Sequence, residues 1–312
     1  MSQKKKTGGK SSIIGLILYS FLLCFYIYCY KNGYVSNEIW NTYSSKTEVT
    51  ENNVSSEIEI YYFDVGQADS ILITNQDKYM LIDAGNNADG RLIVQQLKSM
   101  GISKIDYLIG THPHEDHIGG LDDVIDNFKI GALYMPYREE DSKAFEDVLD
   151  SVSNKNMKIK TPKAGTKFSL GEANCIILSA LSDVEDTNDS SIVLQISFEN
   201  TKYLFTGDLT SNVESEINWQ DIDVLKVAHH GSRYSTSKAF LEVVKPEIAI
   251  ISDGPNNDYD HPHKELLKRL KDIKAEIYRT DLYGTIHLKS DGELIEIESL
   301  DIILDGNKRW II

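Results

Sequence analysis

Alternation of apolar and polar residues sets in at position 57 and changes period repeatedly from there on. Glu-Ile-Glu-Ile-Tyr-Tyr-Phe at 57–63, then Ser70–Thr74 and Tyr79–Asp83, are short β-rich runs separated by Asp64-Val-Gly-Gln-Ala-Asp69 and Gln76-Asp77-Lys78. This spacing predicts a meander. Ala88–Met100 carries Leu92, Ile93, Gln96, Leu97 and Met100 at helical spacing and stops at Gly101, which predicts a helix with a glycine C-cap. Strands are expected at 105–110, 132–135, 175–179, 192–198, 202–206, 224–228, 248–252 and 276–279, with 285–288 and 294–298 placed to close a sheet. Helices are expected near 118–127, 142–153, 211–217, 238–244 and 263–271. Many strands with interspersed helices fit an α/β class of two stacked sheets flanked by helices better than a strict parallel βαβ series.

The segment before this domain has a different texture. Ser12–Tyr30 is 19 residues without a charge, and about 20 cross a hydrocarbon core as a helix. Lys4, Lys5, Lys6 and Lys10 precede the run, and Tyr26, Tyr28 and Tyr30 crowd its far end. The expectation is therefore a short cytoplasmic tail at 1–11, a transmembrane signal anchor at 12–30 and everything beyond it outside the cell, a single-pass protein of the cell membrane. A cleaved signal peptide is the competing reading, but its apolar core would be unusually long and no small-residue cleavage site follows it. Residues 31–55, mostly Asn, Ser, Thr, Glu and Tyr, read as a polar stalk, leaving 56–312 as the folded domain.

Charge and cysteine content narrow the chemistry. Among 312 residues, 48 are acidic and 32 basic, a formal charge of −16. A protein held to nucleic acid mainly by its own cations is thereby excluded. Only Cys24, Cys29 and Cys175 are present, too few for a disulfide framework or a thiolate-based zinc site, so any metal centre must be built from His, Asp and Glu.

Thr111-His112-Pro113-His114-Glu115-Asp116-His117-Ile118-Gly119-Gly120 follows directly on the apolar run 105–110. Alternation at a strand end puts His112 and His114 on one side, where two neutral imidazoles can bind one divalent ion. Asp116 and His117, beyond the stiffening Pro113, can face a second. Merely exposed histidines are a poor account of three imidazoles and two carboxylates within six positions, and these donor types suit zinc and related ions. Asp208 ends Tyr-Leu-Phe-Thr-Gly-Asp, where Gly207 permits a sharp turn. His229 and His230 end the apolar run 224–228. Neighbours at a strand end point to opposite sides, so one is expected to bind an ion and the other to touch substrate. No phosphate-cradling Gly-rich loop is present, and Cys175 lies in an apolar run.

On these residues the chain resembles the metallo-β-lactamase-fold hydrolase superfamily. Phe63-Asp64-Val65-Gly66-Gln67-Ala68-Asp69-Ser70, Leu81-Ile82-Asp83-Ala84-Gly85, Phe205-Thr206-Gly207-Asp208, Val227-Ala228-His229-His230-Gly231-Ser232 and His261-Pro262-His263 are similar to the branch of the extracellular hydrolase domain of ComEC-type DNA-uptake proteins. Bacterial phosphorylcholine esterases are similar too. The resemblance implies an αββα sandwich and two divalent ions, zinc or else manganese, held by His112, His114, Asp116, His117, Asp208 and His230, with Asp208 bridging. It implies His229 as a substrate-phosphate contact or proton donor, Asp116 as a group that also orients the nucleophile, and His263 on the substrate side. Arg233 could supply a cation for an anionic substrate, and Asp64, Asp69 and Asp83 could orient ligand histidines from behind or cap turns. Many superfamily members carry another histidine ahead of the strand leading to the bridging aspartate; here that place reads Thr187-Asn188-Asp189-Ser190-Ser191, so an Asn or Asp oxygen, or water, must complete that sphere.

The function implied is hydrolysis of a phosphodiester, in single-stranded DNA or a cell-surface polymer, by water activated between two ions, with a DNA-uptake permease as a possible partner. In place of the permease of ComEC proteins, one apolar span is expected here. Two alternatives are a hydrolase of small esters or lactones, which needs an enclosed pocket, and a non-catalytic, metal-stabilised module of a DNA-uptake or surface complex.

Overall fold

The computed structural model describes residues 56–299. The expected cytoplasmic tail, membrane span and stalk, and residues 300–312, lie outside them; among the described residues no helix is long and apolar enough to cross a membrane. In chain order the first part runs β1 (Ile58–Tyr62), β2 (Ile71–Asn75), β3 (Lys78–Ile82), α1 (Gly90–Ser99), β4 (Lys104–Ile109), α2 (Glu115–Ile118), α3 (Leu121–Asn127), β5 (Lys129–Tyr134), α4 (Lys143–Asn154) and β6 (Ile159–Lys160). It continues with β7 (Lys167–Leu170), β8 (Ala173–Ser179), β9 (Val193–Phe198), β10 (Thr201–Phe205), β11 (Val224–Lys226), α5 (Lys238–Val244), β12 (Ile248–Ile251), α6 (Lys264–Asp272), β13 (Glu276–Arg279), α7 (Thr280–Tyr283), β14 (Ile286–Ser290) and β15 (Ile295–Ser299).

Two sheets form. The first has the order β15-β14-β1-β2-β3-β4-β5-β6 and the second β13-β12-β11-β10-β9-β8-β7. Period-two alternation sends Ile58, Ile60 and Tyr62 of β1 into the space between the sheets, where they meet Ile196, Phe198, Tyr203 and Phe205 of the second. The outer face of each sheet is covered by helices. Leu72, Leu81 and Leu108 pack under Ile93, Leu97, Leu121 and Val148, and Leu204 and Leu225 under Phe240, Leu241, Leu266 and Leu270. The layering is thus helix, sheet, sheet, helix. Truncating one of these buried leucines to alanine costs about 2–5 kcal/mol.

Pairing of β3 with β4 is parallel, as is that of β10 with β11 and β11 with β12. β10, β11 and β12 are buried at nearly every position, which accounts for their almost unbroken apolar runs. The carboxyl ends of the parallel strands deliver Asp83, His112, Asp208, His229 and Ser252, the edge at which open α/β sheets present their chemistry.

The segment 211–217 is not the expected helix but a short 3-10 turn at Glu214–Glu216. Tertiary hydrogen bonds override its local preference: the Glu214 carboxylate accepts the Ser237 N–H at 3.0 Å, and the Trp219 indole donates to the Glu214 carbonyl at 2.7 Å. The expected strand at 224–228 stops at Lys226, because residues 228–231 turn sharply. Strands β6 and β7 were not anticipated. Both are short, and their burial is mostly partial, so they leave little apolar signal.

Candidate metal centre

The first sheet supplies its donors from one contiguous stretch. Thr111, buried just after β4, donates its N–H and its hydroxyl to the Asp83 carboxylate, each at 2.7 Å. The other face of that carboxylate reaches His117: Nδ1 lies 2.8 Å from Asp83 Oδ2. Nε2 of His117 is thereby left pointing the other way, to within 3.2 Å of Asp208 Oδ1. His112 is wholly buried, and its Nε2 sits 3.1 Å from Nδ1 of His114. Gly119 and Gly120 are required because the chain at 84–90 passes against them: a Cβ would lie 2.3 Å from Asn87 N and 2.4 Å from the Ala84 carbonyl, respectively.

In the second sheet the donors come singly. Gly207 takes φ +52 after β10, and a Cβ there would lie 2.8 Å from Ser191 Oγ. Asp208 follows, its N–H bonded to Ser191 Oγ at 3.0 Å. His229 and His230 both adopt left-handed backbone angles, φ 52 and 50, so they do not alternate as strand neighbours do. Both Nε2 atoms come to 3.7 Å from Asp208 Oδ2. They differ in what lies behind. The Nδ1–H of His230 points at the Ser252 carbonyl, 3.0 Å away, and its Nε2 stands 3.3 Å from Asp116 Oδ2. His229 is partly exposed toward the cleft, at 27%.

Asp116, His117, Asp208 and His230 each offer one donor atom within 4.8 Å of the others. His117 Nε2, His230 Nε2 and Asp208 Oδ1 are buried without a hydrogen-bond partner. Buried polar atoms left unsatisfied are costly, and three aimed at one point fit a cation that accepts them. Asp69, Asp83 and His117 form a second cluster of the same kind, but Asp83 is saturated by Thr111 and His117, and Asp69 is paired with Lys226 at 2.7 Å. It reads as support for the first cluster.

Burial opposes charge on Asp116 and Asp208, yet His117 and His230 outweigh it and hold both carboxyls below the usual carboxylate range. Burial likewise pulls His230 down, and Asp208, Asp116 and Asp69 overcome it, pushing the imidazole up to about 9. Carboxylates that keep imidazoles protonated in this way are satisfied equally by a divalent cation in place of the protons, so loading is coupled to proton release.

Beside these groups opens a cavity of about 370 Å³ lined by Gln67, His114, Glu115, Asp116, Asn188, Asp208, His229, His230, Tyr259 and His261. Of the residues singled out from sequence, His112, His114, Asp116, His117, Asp208, His229 and His230 converge around it. His263 and Arg233 do not line it. Nδ1 of His263 accepts the Arg233 N–H at 3.2 Å at the start of α6, and the Arg233 guanidinium faces Glu265 at 3.4 Å. Their neighbour His261 takes the place on the wall, stacked with Tyr259 at 5.6 Å and 3.3 Å from the Gln67 amide. Burial, then the nearby His230 and His229, lower His261 to about 4. Asn188 lines the cavity, its Oδ1 buried without a hydrogen-bond partner. Asp189 is engaged elsewhere, accepting the Thr210 N–H and hydroxyl at 3.0 and 2.7 Å. Tyr259 carried no sequence signal, being one of many tyrosines in the chain.

Residues 63–252 match the profile of the metallo-beta-lactamase superfamily. The chain belongs to that superfamily. Among curated proteins it is 32% identical over 259 residues to ComE operon protein 3 of Bacillus subtilis (strain 168), covering 76% of this chain and 33% of that protein. It is 26% identical over 299 residues to Recombination protein 2 of Haemophilus influenzae, covering 93% and 34%. It is 27% identical over 239 residues to Competence protein ComA of Neisseria gonorrhoeae, covering 74% and 32%. These relatives are consistent with the ComEC-type branch of the superfamily. The chain spans about a third of the length of each of them.

Proposed function

We propose that this protein is a membrane-anchored, outward-facing, metal-dependent phosphodiesterase or nuclease working with two divalent ions, zinc or manganese. The observation that carries the reading is the position of Asp208, whose Oδ1 faces His117 at 3.2 Å while its Oδ2 faces His112 at 4.0 Å; His230, 3.7 Å from Oδ2, clusters with His117 and Asp116. One carboxylate between two donor sets suits a shared ligand. His117, Asp116 and His230 would complete one set. His112, His114 and the unsatisfied Asn188 Oδ1 would complete the other, in place of the missing histidine.

Ions held by these residues would lower the pKa of a water and offset the negative charge on the phosphate oxygens. The chain's own groups do the rest. Asp116, on the cavity wall, accepts a hydrogen bond from the attacking water and orients it toward phosphorus. His229, partly exposed on the cavity wall, donates a proton to the departing oxygen as the P–O bond breaks. Thr111, Asp83 and the Ser252 carbonyl keep His117 and His230 turned with Nε2 inward. Similarity to competence proteins supports single-stranded DNA as substrate and a DNA-uptake permease as partner, while the negative charge of the chain disfavours non-specific duplex binding.

Hydrolysis of a compact ester is a second reading, favoured by the modest volume of the cavity. The test is to purify the full-length chain, measure bound metals, and compare turnover of bis-p-nitrophenyl phosphate, single-stranded DNA, phosphorylcholine esters and nitrocefin. Phosphodiester cleavage that disappears in Asp116→Ala is expected. Unchanged turnover in that variant overturns the mechanism, turnover of nitrocefin alone favours the second reading, and bound metal without turnover of any substrate favours a non-catalytic module.

A further inference from the structure

Lys226 is the least expected side chain in the core. It ends β11, is 1% exposed, and lies among the largest fully buried residues. A buried lysine is costly unless its ammonium is paired and hydrogen-bonded. Its Nζ meets Asp69 Oδ2 at 2.7 Å and donates to the Val227 carbonyl at 2.9 Å. Asp69 belongs to the loop between β1 and β2, so this ion pair ties the two sheets together directly behind the donor cluster.

The surroundings of Asp69 give the pair a more specific role. Its Oδ1 has no hydrogen-bond partner and lies 3.7 Å from Nδ1 of His230; its Oδ2 lies 4.0 Å from Nδ1 of His117. Both Nδ1 atoms already have partners, the Ser252 carbonyl at 3.0 Å and Asp83 Oδ2 at 2.8 Å. Asp69 is thus a competing acceptor within reach of the two imidazoles whose orientation decides where Nε2 points. Its backbone is anchored, the N–H bonding to the Asp116 carbonyl at 3.0 Å and the carbonyl accepting the Gly85 N–H at 2.8 Å, so only the side chain is free to choose.

We propose that Lys226 is a positioning residue: its ammonium holds the Asp69 carboxylate back from the Nδ1 atoms of His230 and His117, so that His230 keeps a neutral carbonyl behind it and His117 keeps Asp83. The inference rests on the metal-centre reading above. A carboxylate is a much stronger acceptor than a carbonyl. Freed from Lys226, Asp69 captures the Nδ1–H of His230, turns the ring and moves Nε2 off its aim.

The test is a cycle on the full-length chain, read by metal titration and by the visible absorption of the Co2+-loaded protein. Lys226→Met is expected to weaken loading about 10–100-fold, the usual effect of disturbing the groups behind metal ligands, and to change the Co2+ spectrum. The double variant Lys226→Met/Asp69→Leu removes the competitor together with its restraint. Its loading is expected within about threefold of wild type with the parent spectrum, a recovery that additive, independent effects do not give. Replacing a buried ion pair by apolar side chains is often neutral for folding, so the double variant decides the matter even if the single one does not fold. Unchanged loading in Lys226→Met, a double variant that folds but loads as poorly as the single, or a double variant that does not fold each overturn the proposal. A wild-type chain that binds no ion defeats the metal-centre reading instead.

Discussion

The two sheets serve the same cluster by opposite means. The first offers His112, His114, Asp116 and His117 in one short stretch, where side-chain neighbours set the aim: Thr111 holds Asp83, and Asp83 holds His117. The second offers Asp208, His229 and His230 from two separate strand ends, and there the backbone sets the aim, with φ of 52, 52 and 50 at Gly207, His229 and His230. Side-chain crowding can be relieved locally. A left-handed turn has no such slack, because only glycine, or a residue whose surroundings enforce the angle, takes it without strain. The second half is therefore the more brittle one, although it holds fewer donors.

Asp208 is where the halves meet, and its removal should be the most damaging change. Asp208→Ala takes a carboxylate from both donor sets, whereas His114→Ala touches only one. Activity is expected to fall by at least about 1,000-fold in Asp208→Ala, about 4 kcal/mol of lost charge stabilisation. Metal analysis should find less than one equivalent in that variant but about one retained in His114→Ala. Equal metal loss in the two would mean that Asp208 serves one ion only.

Gly207→Ala comes next, and probes backbone without touching a donor. The added methyl meets Ser191 Oγ and Cβ at 2.8 and 2.9 Å at φ +52, and strain of this kind costs about 1–3 kcal/mol. Urea unfolding should show that loss, and metal titration should show weakened loading as Asp208 shifts. A variant as stable and as tightly loaded as wild type would show that the turn does not set the carboxylate.

The same contrast explains what could be read from sequence. The stretch from His112 to His117 announces itself because its donors are adjacent, and the apolar runs of β9 and β10 announce strands because they are buried on both faces. Asp208 and the 229–230 pair are ordinary residues in isolation, and only resemblance to known motifs drew them to the first cluster. Strand alternation does not apply to the histidine pair, since a turn with left-handed angles brings both Nε2 atoms to 3.7 Å from one carboxylate; what lies behind each ring tells the two apart instead. His261, rather than His263, on the wall and the inward-facing Lys226 depend on loop packing and on a cross-sheet partner far back in the chain, Asp69, which no local periodicity encodes.

The smallest expected effect concerns the support behind the second half. Asp253 follows Ser252, whose carbonyl holds His230, and its Oδ1 accepts from Asn257, which in turn donates to the His261 carbonyl at 2.7 Å. Burial, then the carboxylate of Asp281, raise Asp253 to about 7. An unfolded aspartate ionises near pH 4, so between about pH 4 and 7 the folded chain keeps a proton that the unfolded chain has released. Raising the pH across this window therefore favours unfolding, and the contribution levels off once the folded carboxyl has ionised too. An asparagine side chain in the same place cannot ionise. Asp253→Asn should accordingly unfold at nearly the same temperature as wild type at about pH 4.5, gain steadily on it up to about pH 7, and hold a constant advantage above about pH 8, in thermal scans with chelator in both samples. A difference that does not change with pH would mean that Asp253 is ionised in the folded chain throughout. The loop carrying His261 would then rest on a charged carboxylate rather than on a retained proton.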